Sequence, residues 1–122
     1  MKLLHKDITN KIISAFYNVY NELGFGFLEK VYENALAYEI RKNGLEAKQQ
    51  EKIKVYYDNI EVGDYEADIL VAEKVLIELK AVKNFDDVHK AQCLNYLKAT
   101  GLKICLLINF GNPRVEIKRI AL

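Results

Sequence analysis

The chain has 122 residues, of which 51% are hydrophobic and 29% charged, with a single Pro and a formal net charge of +1. This composition excludes a disordered or collagen-like chain, and the near-neutral charge gives no bulk attraction to nucleic acid, membranes or acidic partners. The length is sufficient for one domain, residues 1–122, with its own hydrophobic core.

Two helices open the predicted fold. The first begins near Asp7 and Thr9, which are both capping residues, and Gly24 can end it. The second begins at about Leu28 and stops at Gly44. Apolar residues recur at helical spacing in both segments, so each helix is expected to bury one side.

Three strands follow in the prediction. The segment "KIKVYY", residues 52–57, alternates apolar and polar positions, and Asp58-Asn59 then supplies a turn. Two further strands, residues 65–72 and 75–82, flank a turn at residues 72–74. These last two strands are expected to form a hairpin.

One more helix and two strands complete the chain. The helix spans roughly residues 86–100 and is closed by Gly101. "KICLLINF" is a continuous apolar run, typical of a strand covered on both faces, and "RVEIKRIAL" is expected to be an edge strand after a turn at residues 111–113. This order predicts an α/β (α+β) fold with a central mixed sheet flanked by helices.

The N-terminal segment and the two cysteines bear on the cellular compartment. "MKLLHKDITNK" lacks the apolar stretch of a secretory signal, and no segment approaches the about 20 apolar residues of a membrane span. Cys93 and Cys105 lie in apolar surroundings and are too few for a disulfide framework or a zinc site, which predicts buried free thiols. We therefore expect a cytoplasmic protein without a membrane partner.

Three charges interrupt the apolar hairpin "YEADILVAEKVLIELKAV". A hairpin centred on Glu73 pairs β-branched residues on one face and places Asp68 opposite Glu78 on the other, with their Cβ atoms about 5 Å apart. Lys80 shares the face of Glu78 because strand side chains alternate. Two adjacent carboxylates repel, so a compensating cation is expected. Either a divalent ion such as Mg²⁺ binds both, or the three charges form a surface ion-pair cluster.

Two polar clusters lie on helices. Glu29 and Tyr32 share a face at the start of the second helix, although an acidic residue there is also favoured by the helix dipole. His89, Gln92 and Tyr96 form a stripe on the last helix. Such a stripe is commonly a solvated face, and its alternative role is to contact phosphate or orient Lys80. A lone His is a weak sign of a metal site.

These clusters together resemble a known family. "GFLEKVY", with Gly26, Glu29 and Tyr32, resembles the signature of the GxxExxY proteins, and "EADILVAEKVLIELKAV" resembles the Asp…Glu-x-Lys core of the PD-(D/E)XK nuclease superfamily to which they belong. "QCLNY" is similar to the Gln-xxx-Tyr motif of RecB-like nucleases in that superfamily. The resemblance runs from about Ile8 to Phe110, and Ala67 stands where many members have proline.

The resemblance implies a restriction-endonuclease-like core and a set of site residues. Mg²⁺ or Mn²⁺ would be bound by three carboxylates, those of Asp68, Glu78 and Glu29, with the Leu79 carbonyl as a further ligand. Lys80 would orient or polarise the attacking water. The substrate-contacting or supporting residues would be Gln92, Tyr96 and Tyr32.

Two functions of different classes follow from this resemblance. The first is a Mg²⁺-dependent nuclease that hydrolyses phosphodiester bonds, with DNA favoured over RNA. The alternative is a non-cleaving module on the same fold that binds nucleic acid or a protein partner, which the near-neutral charge favours. A purely structural α/β domain would leave the three ordered motifs unexplained. The last strand could also pair with its copy in a homodimer.

Overall fold

The protein is described by a computed structural model that covers residues 4–111 and 116–122. Three helices and five strands follow one another in the order α1α2β1β2β3α3β4β5. The helices are α1 (Lys6–Leu23), α2 (Glu29–Lys42) and α3 (Asp87–Thr100). The strands are β1 (Ala47–Tyr57), β2 (Ile60–Val71), β3 (Val75–Lys80), β4 (Ile104–Asn109) and β5 (Glu116–Ala121).

The five strands form one mixed sheet in the order β1-β2-β3-β4-β5. Neighbouring strands are antiparallel except for β3 and β4, which are parallel and are joined by α3. The element order and the mixed α/β sheet confirm the predicted fold class. Helix α3 therefore begins beyond the carboxyl end of β3, the strand that carries Glu78 and Lys80.

Two apolar clusters cover the two faces of the sheet. Helices α1 and α2 pack on one face against the β-branched residues of the hairpin, whereas α3 packs on the other. Strand β4 is buried along its whole length, as its apolar run predicts. The cluster beneath α3 consists of Ile53, Ala67, Leu70, Leu76, Cys93, Tyr96, Leu97, Cys105 and Leu107.

The register of the predicted hairpin is confirmed. Val71 pairs with Val75 and Ile69 with Ile77, so the β-branched side chains lie together on the α1–α2 face. The turn uses left-handed backbone at Ala72 (φ 53°). Leu70 and Leu76 alternate onto the opposite face, beneath α3, and the same alternation along β3 assigns Glu78 and Lys80 to that face.

Strands β1 and β2 are longer than their sequence patterns predict. β1 begins five residues earlier than residue 52, and β2 begins at Ile60 rather than at residue 65. Periodicity missed the start of β1 because Gln50 is left-handed (φ 53°), which breaks the alternation of side chains. An irregularity between Val55 and Tyr56 shifts the register again near the hairpin end.

The start of helix α1 differs from the prediction, whereas the position of the last strand agrees with it. Helix α1 begins at Lys6 after His5, which makes no side-chain cap, so neither Asp7 nor Thr9 caps it. Strand β5 lies at the sheet edge as expected, whereas residues 112–115, which include part of the predicted turn and the start of that strand, lie outside the described residues.

None of the described helices combines the length and apolar character needed to cross a membrane.

Gly111 provides a test of how β3 and β4 are held together. A Cβ atom at residue 111 would overlap backbone atoms of Ala81 and Val82, just after β3. Gly111→Ala is therefore expected to lower the free energy of unfolding by about 2 kcal/mol, because the two backbones must separate. Urea unfolding measures this change. Gly63→Ala is the matched control, since its Cβ would make only ordinary contacts; equal losses in both variants would contradict the prediction.

Candidate active site

Asp68 and Glu78 lie where β2 and β3 separate. The ladder between the strands ends at Ile69 and Ile77, and the two carboxylates then replace the backbone pairing. The Asp68 backbone N–H donates to Glu78 Oε1 at 3.2 Å, and the Leu79 N–H donates to Asp68 Oδ2 at 2.7 Å. The strands therefore hold the two carboxylates next to each other through reciprocal hydrogen bonds.

Both carboxylates sit in an environment that disfavours their charge. Glu78 is only 3% exposed, and burial followed by the neighbouring charge of Asp68 raises its pKa to about 8. Burial is also the main cause that raises the pKa of Asp68, and the Leu79 N–H opposes it. Desolvation and like-charge repulsion act together here, which is the electrostatic pattern of many functional sites.

The donor set of this pair fits a hard divalent cation. In residues 4–111 and 116–122, no side chain forms an ion pair with Asp68 or Glu78, and one oxygen of each carboxylate accepts no hydrogen bond from this part of the chain. Two adjacent carboxylates that form no ion pair and each have a free oxygen are ligands that Mg²⁺ accepts together with water and phosphate oxygens. The surface ion-pair cluster considered as an alternative does not form between these residues.

Lys80 follows Glu78 by two positions, at the end of β3. Its side chain is partly buried, and its charge lowers the pKa of both Asp68 and Glu78, so it lies within their electrostatic reach.

Asn109 on β4 is the strand partner of Lys80. The buried Asn109 amide accepts from the Val82 N–H at 3.1 Å and donates to the Val82 carbonyl at 2.7 Å. Asn109 thereby fixes the backbone just after Lys80. Its position in the sequence did not indicate this role.

Gln92 and Tyr96 lie on the side of α3 that faces the carboxylates. Gln92 Nε2 donates to the Tyr96 hydroxyl at 2.7 Å. Burial, and then the charge of Glu78, raises the pKa of Tyr96 to about 12. The hydroxyl thus stays protonated and keeps its own hydrogen for another acceptor. His89 instead accepts from the Asp86 backbone N–H as part of the α3 capping box, so its ring belongs to the helix start.

Glu29 stands at the first residue of α2 and is exposed. Its charge contributes to the raised pKa of Asp68, but the charge of Glu33 contributes more. Across the described chain, no three His, Cys, Asp or Glu side chains are grouped to hold a metal ion. The structure therefore brings Asp68 and Glu78 together without a third carboxylate, and a metal contact from Glu29 stays a prediction.

Glu33 is an acidic residue near the site that the sequence interpretation missed. It is 3% exposed, and its oxygens accept hydrogen bonds from Gln50 at 2.6 Å and from Gln49 at 2.7 Å. Lys30 pairs with it at 3.2 Å. Because Gln50 is the left-handed residue of β1 opposite Asp68, Glu33 fixes the β1 distortion beside the carboxylates. Its spacing of four residues from Glu29 is the signal that could have identified it.

Tyr32 is buried and serves the loop between α1 and α2. Its hydroxyl donates to the Gly24 carbonyl at 2.7 Å and accepts from the Phe27 N–H at 3.1 Å. Its ring stacks on Phe110 with centroids 4.2 Å apart. These contacts fix the start of α2, where Glu29 lies, so Tyr32 is placed to support the helix rather than to reach a ligand through its hydroxyl.

The thiols of Cys93 and Cys105 lie beneath this site. Both are free and buried, as their apolar neighbours predict. A hydrogen bond between them, the leading cause of both shifts, lowers the pKa of Cys93 and raises that of Cys105. Both belong to the apolar cluster between the sheet and α3.

Comparison with known proteins places this geometry in a family. The sequence profile of the PD-(D/E)XK nuclease superfamily matches residues 6–120. No curated protein matches the chain significantly. The crystal structure of SSO0001 superposes with a TM-score of 0.57 at 16% identity, over 96% of this chain, which demonstrates a shared fold. The match spans 57% of the length of SSO0001.

The family match covers all eight helices and strands except Ala121, the last residue of β5, and it includes both halves of the Asp…Glu-x-Lys pattern. Nuclease-like function and a nucleic-acid substrate are the general properties of this superfamily, and its members typically use divalent metals. The chain belongs to the PD-(D/E)XK nuclease superfamily.

Proposed function

We propose that the protein is a Mg²⁺-dependent nuclease that hydrolyses phosphodiester bonds, with DNA as the favoured substrate. The observation that carries the proposal is the adjacent pair of a buried Glu78 and a partly buried Asp68, neither of which forms an ion pair with a side chain of the described residues. Burial of two such groups is costly unless a cation balances them. Lys80, which strand alternation places on the same face as Glu78, would add a positive charge to the two carboxylates of a phosphoryl-transfer site.

Asp68 and Glu78 would bind Mg²⁺ or Mn²⁺, with the Leu79 carbonyl and Glu29 as further ligands. Such an ion supplies Lewis-acid activation of the phosphate and lowers the pKa of a bound water. The reciprocal hydrogen bonds between β2 and β3 hold the two carboxylates in place. A site that is already organised avoids rearrangement during the reaction.

The chain's own residues have separate roles in the proposed reaction. The Lys80 ammonium would stabilise the negative charge on the phosphoryl oxygens or orient the attacking water. The Tyr96 hydroxyl, which accepts from Gln92 and keeps its own hydrogen, would donate to a phosphate oxygen. Tyr32 would hold the start of α2 and with it Glu29.

Further features of the proposal concern setting and partners. The domain would comprise residues 1–122 and act in the cytoplasm, and Gly26, Glu29 and Tyr32 support its narrower assignment to the GxxExxY proteins. The net charge of +1 favours the second candidate, a module that binds nucleic acid or a protein partner without cutting. Strand β5 at the sheet edge is the surface through which a homodimer could pair.

A cleavage assay tests the proposal. The protein is incubated with single-stranded, duplex and branched DNA and with RNA, in Mg²⁺, Mn²⁺ or EDTA. We expect cleavage with either metal, none in EDTA, and a loss of at least about 10²-fold in Asp68→Asn, because its carboxylate helps bind the ion. Glu66→Gln, an exposed change on the same strand, should retain activity.

The outcomes separate the two candidates. Equal cleavage by the wild type and Asp68→Asn would contradict the assignment of the site. Metal binding and nucleic-acid binding without cleavage of any substrate would contradict the nuclease and favour the accessory module.

A further inference from the structure

A groove runs between the β1–β2 hairpin and α3 and ends at the candidate active site. The hairpin continues beyond the point where β2 leaves β3, from the pair Glu51–Ala67 to the pair Tyr57–Ile60. At about 3.3 Å per residue, these seven residues of β1 extend about 20 Å past the sheet. One face of this arm, residues 51–67, lies against α3 and forms one wall of the groove.

The groove has two adjoining parts that share Val55, Tyr65 and Asn95. The outer part, of about 560 Å³, is lined by Lys54, Val55, Tyr56, Val62, Gly63, Tyr65, Asn95, Lys98 and Ala99. The inner part, of about 340 Å³, reaches Gln92 and Tyr96. Tyr96 belongs to the same cluster beneath α3 as Leu70 and Leu76, which lie two residues along their strands from Asp68 and Glu78, so the inner end of the groove lies near the two carboxylates.

The lining combines aromatic rings with cations and amides. Tyr56 is 59% exposed and Tyr65 is 51% exposed, and the Tyr65 ring lies 5.8 Å from that of Tyr96. Lys54 and Lys98 contribute ammonium groups, although Lys54 also pairs with Glu61 at 3.3 Å. In the described part of the chain, no residue that lines either part carries a carboxylate.

We infer that this groove binds single-stranded nucleic acid and directs it to the carboxylate site. Exposed aromatic rings give stacking surfaces to unpaired bases, and lysines beside them attract the phosphate backbone. Bases within a duplex are already stacked on each other and cannot stack on Tyr56 or Tyr65. The groove extends over about 16 Å of α3, from Val88 to Ala99, which is enough for a short segment of one strand. This inference deepens the proposed function and rests on it for the direction of the strand.

The test is fluorescence anisotropy with labelled oligothymidylate, oligouridylate and a duplex of equal length, measured in EDTA so that no cleavage intervenes. We expect both single strands to bind more tightly than the duplex. Tyr65→Ala and Tyr56→Ala should each weaken single-strand binding about tenfold, because base–aromatic stacking is lost. Lys98→Ala should lower the slope of log affinity against log salt by about 0.7.

Tyr57→Ala is the matched control. Tyr57 is 71% exposed at the end of the same arm but does not line the groove, so its loss should leave binding unchanged. Circular dichroism of each variant establishes that the fold is intact, and Tyr56→Ala keeps the test valid if Tyr65→Ala fails to fold. Tighter binding of the duplex, or equal binding by wild type, Tyr56→Ala and Tyr65→Ala, would overturn the inference.

Further outcomes separate the inference from the proposed function. Tyrosine-dependent binding of single strands without cleavage in Mg²⁺ or Mn²⁺ would support the groove and contradict the nuclease. Metal-dependent cleavage that is unaffected by Tyr56→Ala and Tyr65→Ala would support the nuclease and overturn the groove. Self-association that Tyr56→Ala abolishes, with unchanged oligonucleotide binding, would make this surface a contact between copies and also overturn it.

Discussion

Lys80→Met is expected to lower the cleavage rate by about 10²- to 10³-fold without weakening Mg²⁺ binding. Lys80 carries no proposed metal contact, and its positive charge acts on the same carboxylates that would bind the ion. Removing the ammonium therefore leaves the ligands in place and takes away the charge that would oppose negative charge on the phosphoryl oxygens. The loss should appear in kcat more than in KM, since the interaction strengthens in the transition state.

Cleavage kinetics and calorimetric Mg²⁺ titration of the same variant measure the two quantities. Lys74→Met is the matched control, because this exposed lysine lies in the turn of the same hairpin. Methionine keeps the length of the apolar stem and removes only the charge. Wild-type turnover in Lys80→Met would contradict the proposed role, and a parallel loss of metal affinity would assign Lys80 to the organisation of the site instead.

Glu78→Gln is expected to stabilise the metal-free protein above pH 8. The pKa of Glu78 is about 8 in the fold, against an ordinary value of 4.5. Below pH 4.5 the carboxyl is protonated in both the folded and unfolded chains. Between these values the unfolded chain loses the proton and the folded chain retains it, so stability falls as pH rises. The loss is complete above the folded pKa.

The glutamine variant lacks this titration and should escape the loss. One pKa unit corresponds to about 1.4 kcal/mol, so the free energies of unfolding of variant and wild type should diverge by several kcal/mol between pH 4.5 and pH 8. Urea unfolding in EDTA at about pH 5, 7 and 9, on both sides of the folded pKa, measures the divergence. Mg²⁺ should restore stability to the wild type at pH 9 and have little effect on Glu78→Gln. Parallel pH profiles would contradict the assigned pKa.

The sequence was most informative where local patterns decide the structure. The hairpin register followed from the β-branched residues of one face, because a shift of one residue would have sent Ile69 and Ile77 to the α3 face. That register alone brought Asp68 and Glu78 together. The alternation of β3 likewise placed Lys80 beside Glu78.

Other features depend on contacts that no local pattern carries. In the sequence, nothing distinguishes Glu33 from the other acidic residues of α2. Only the fold brings Gln49 and Gln50 of β1 to its carboxylate. The left-handed Gln50 breaks the periodicity that would have identified the start of β1. Asn109 ends an apolar run, and its role depends on hydrogen bonds to the backbone of Val82, a residue distant in the sequence. The groove also required the three-dimensional arrangement, since its walls come from distant segments.

The central claim is that Asp68 and Glu78 form a site for a divalent cation. Calorimetric titration of Mn²⁺ and Mg²⁺ into the wild type and Glu78→Gln, with Glu66→Gln as control, tests it most directly. We predict saturable binding in the wild type and Glu66→Gln that is lost in Glu78→Gln. Indistinguishable titrations of the wild type and Glu78→Gln would show that the two adjacent carboxylates do not bind the metal, and would contradict the account.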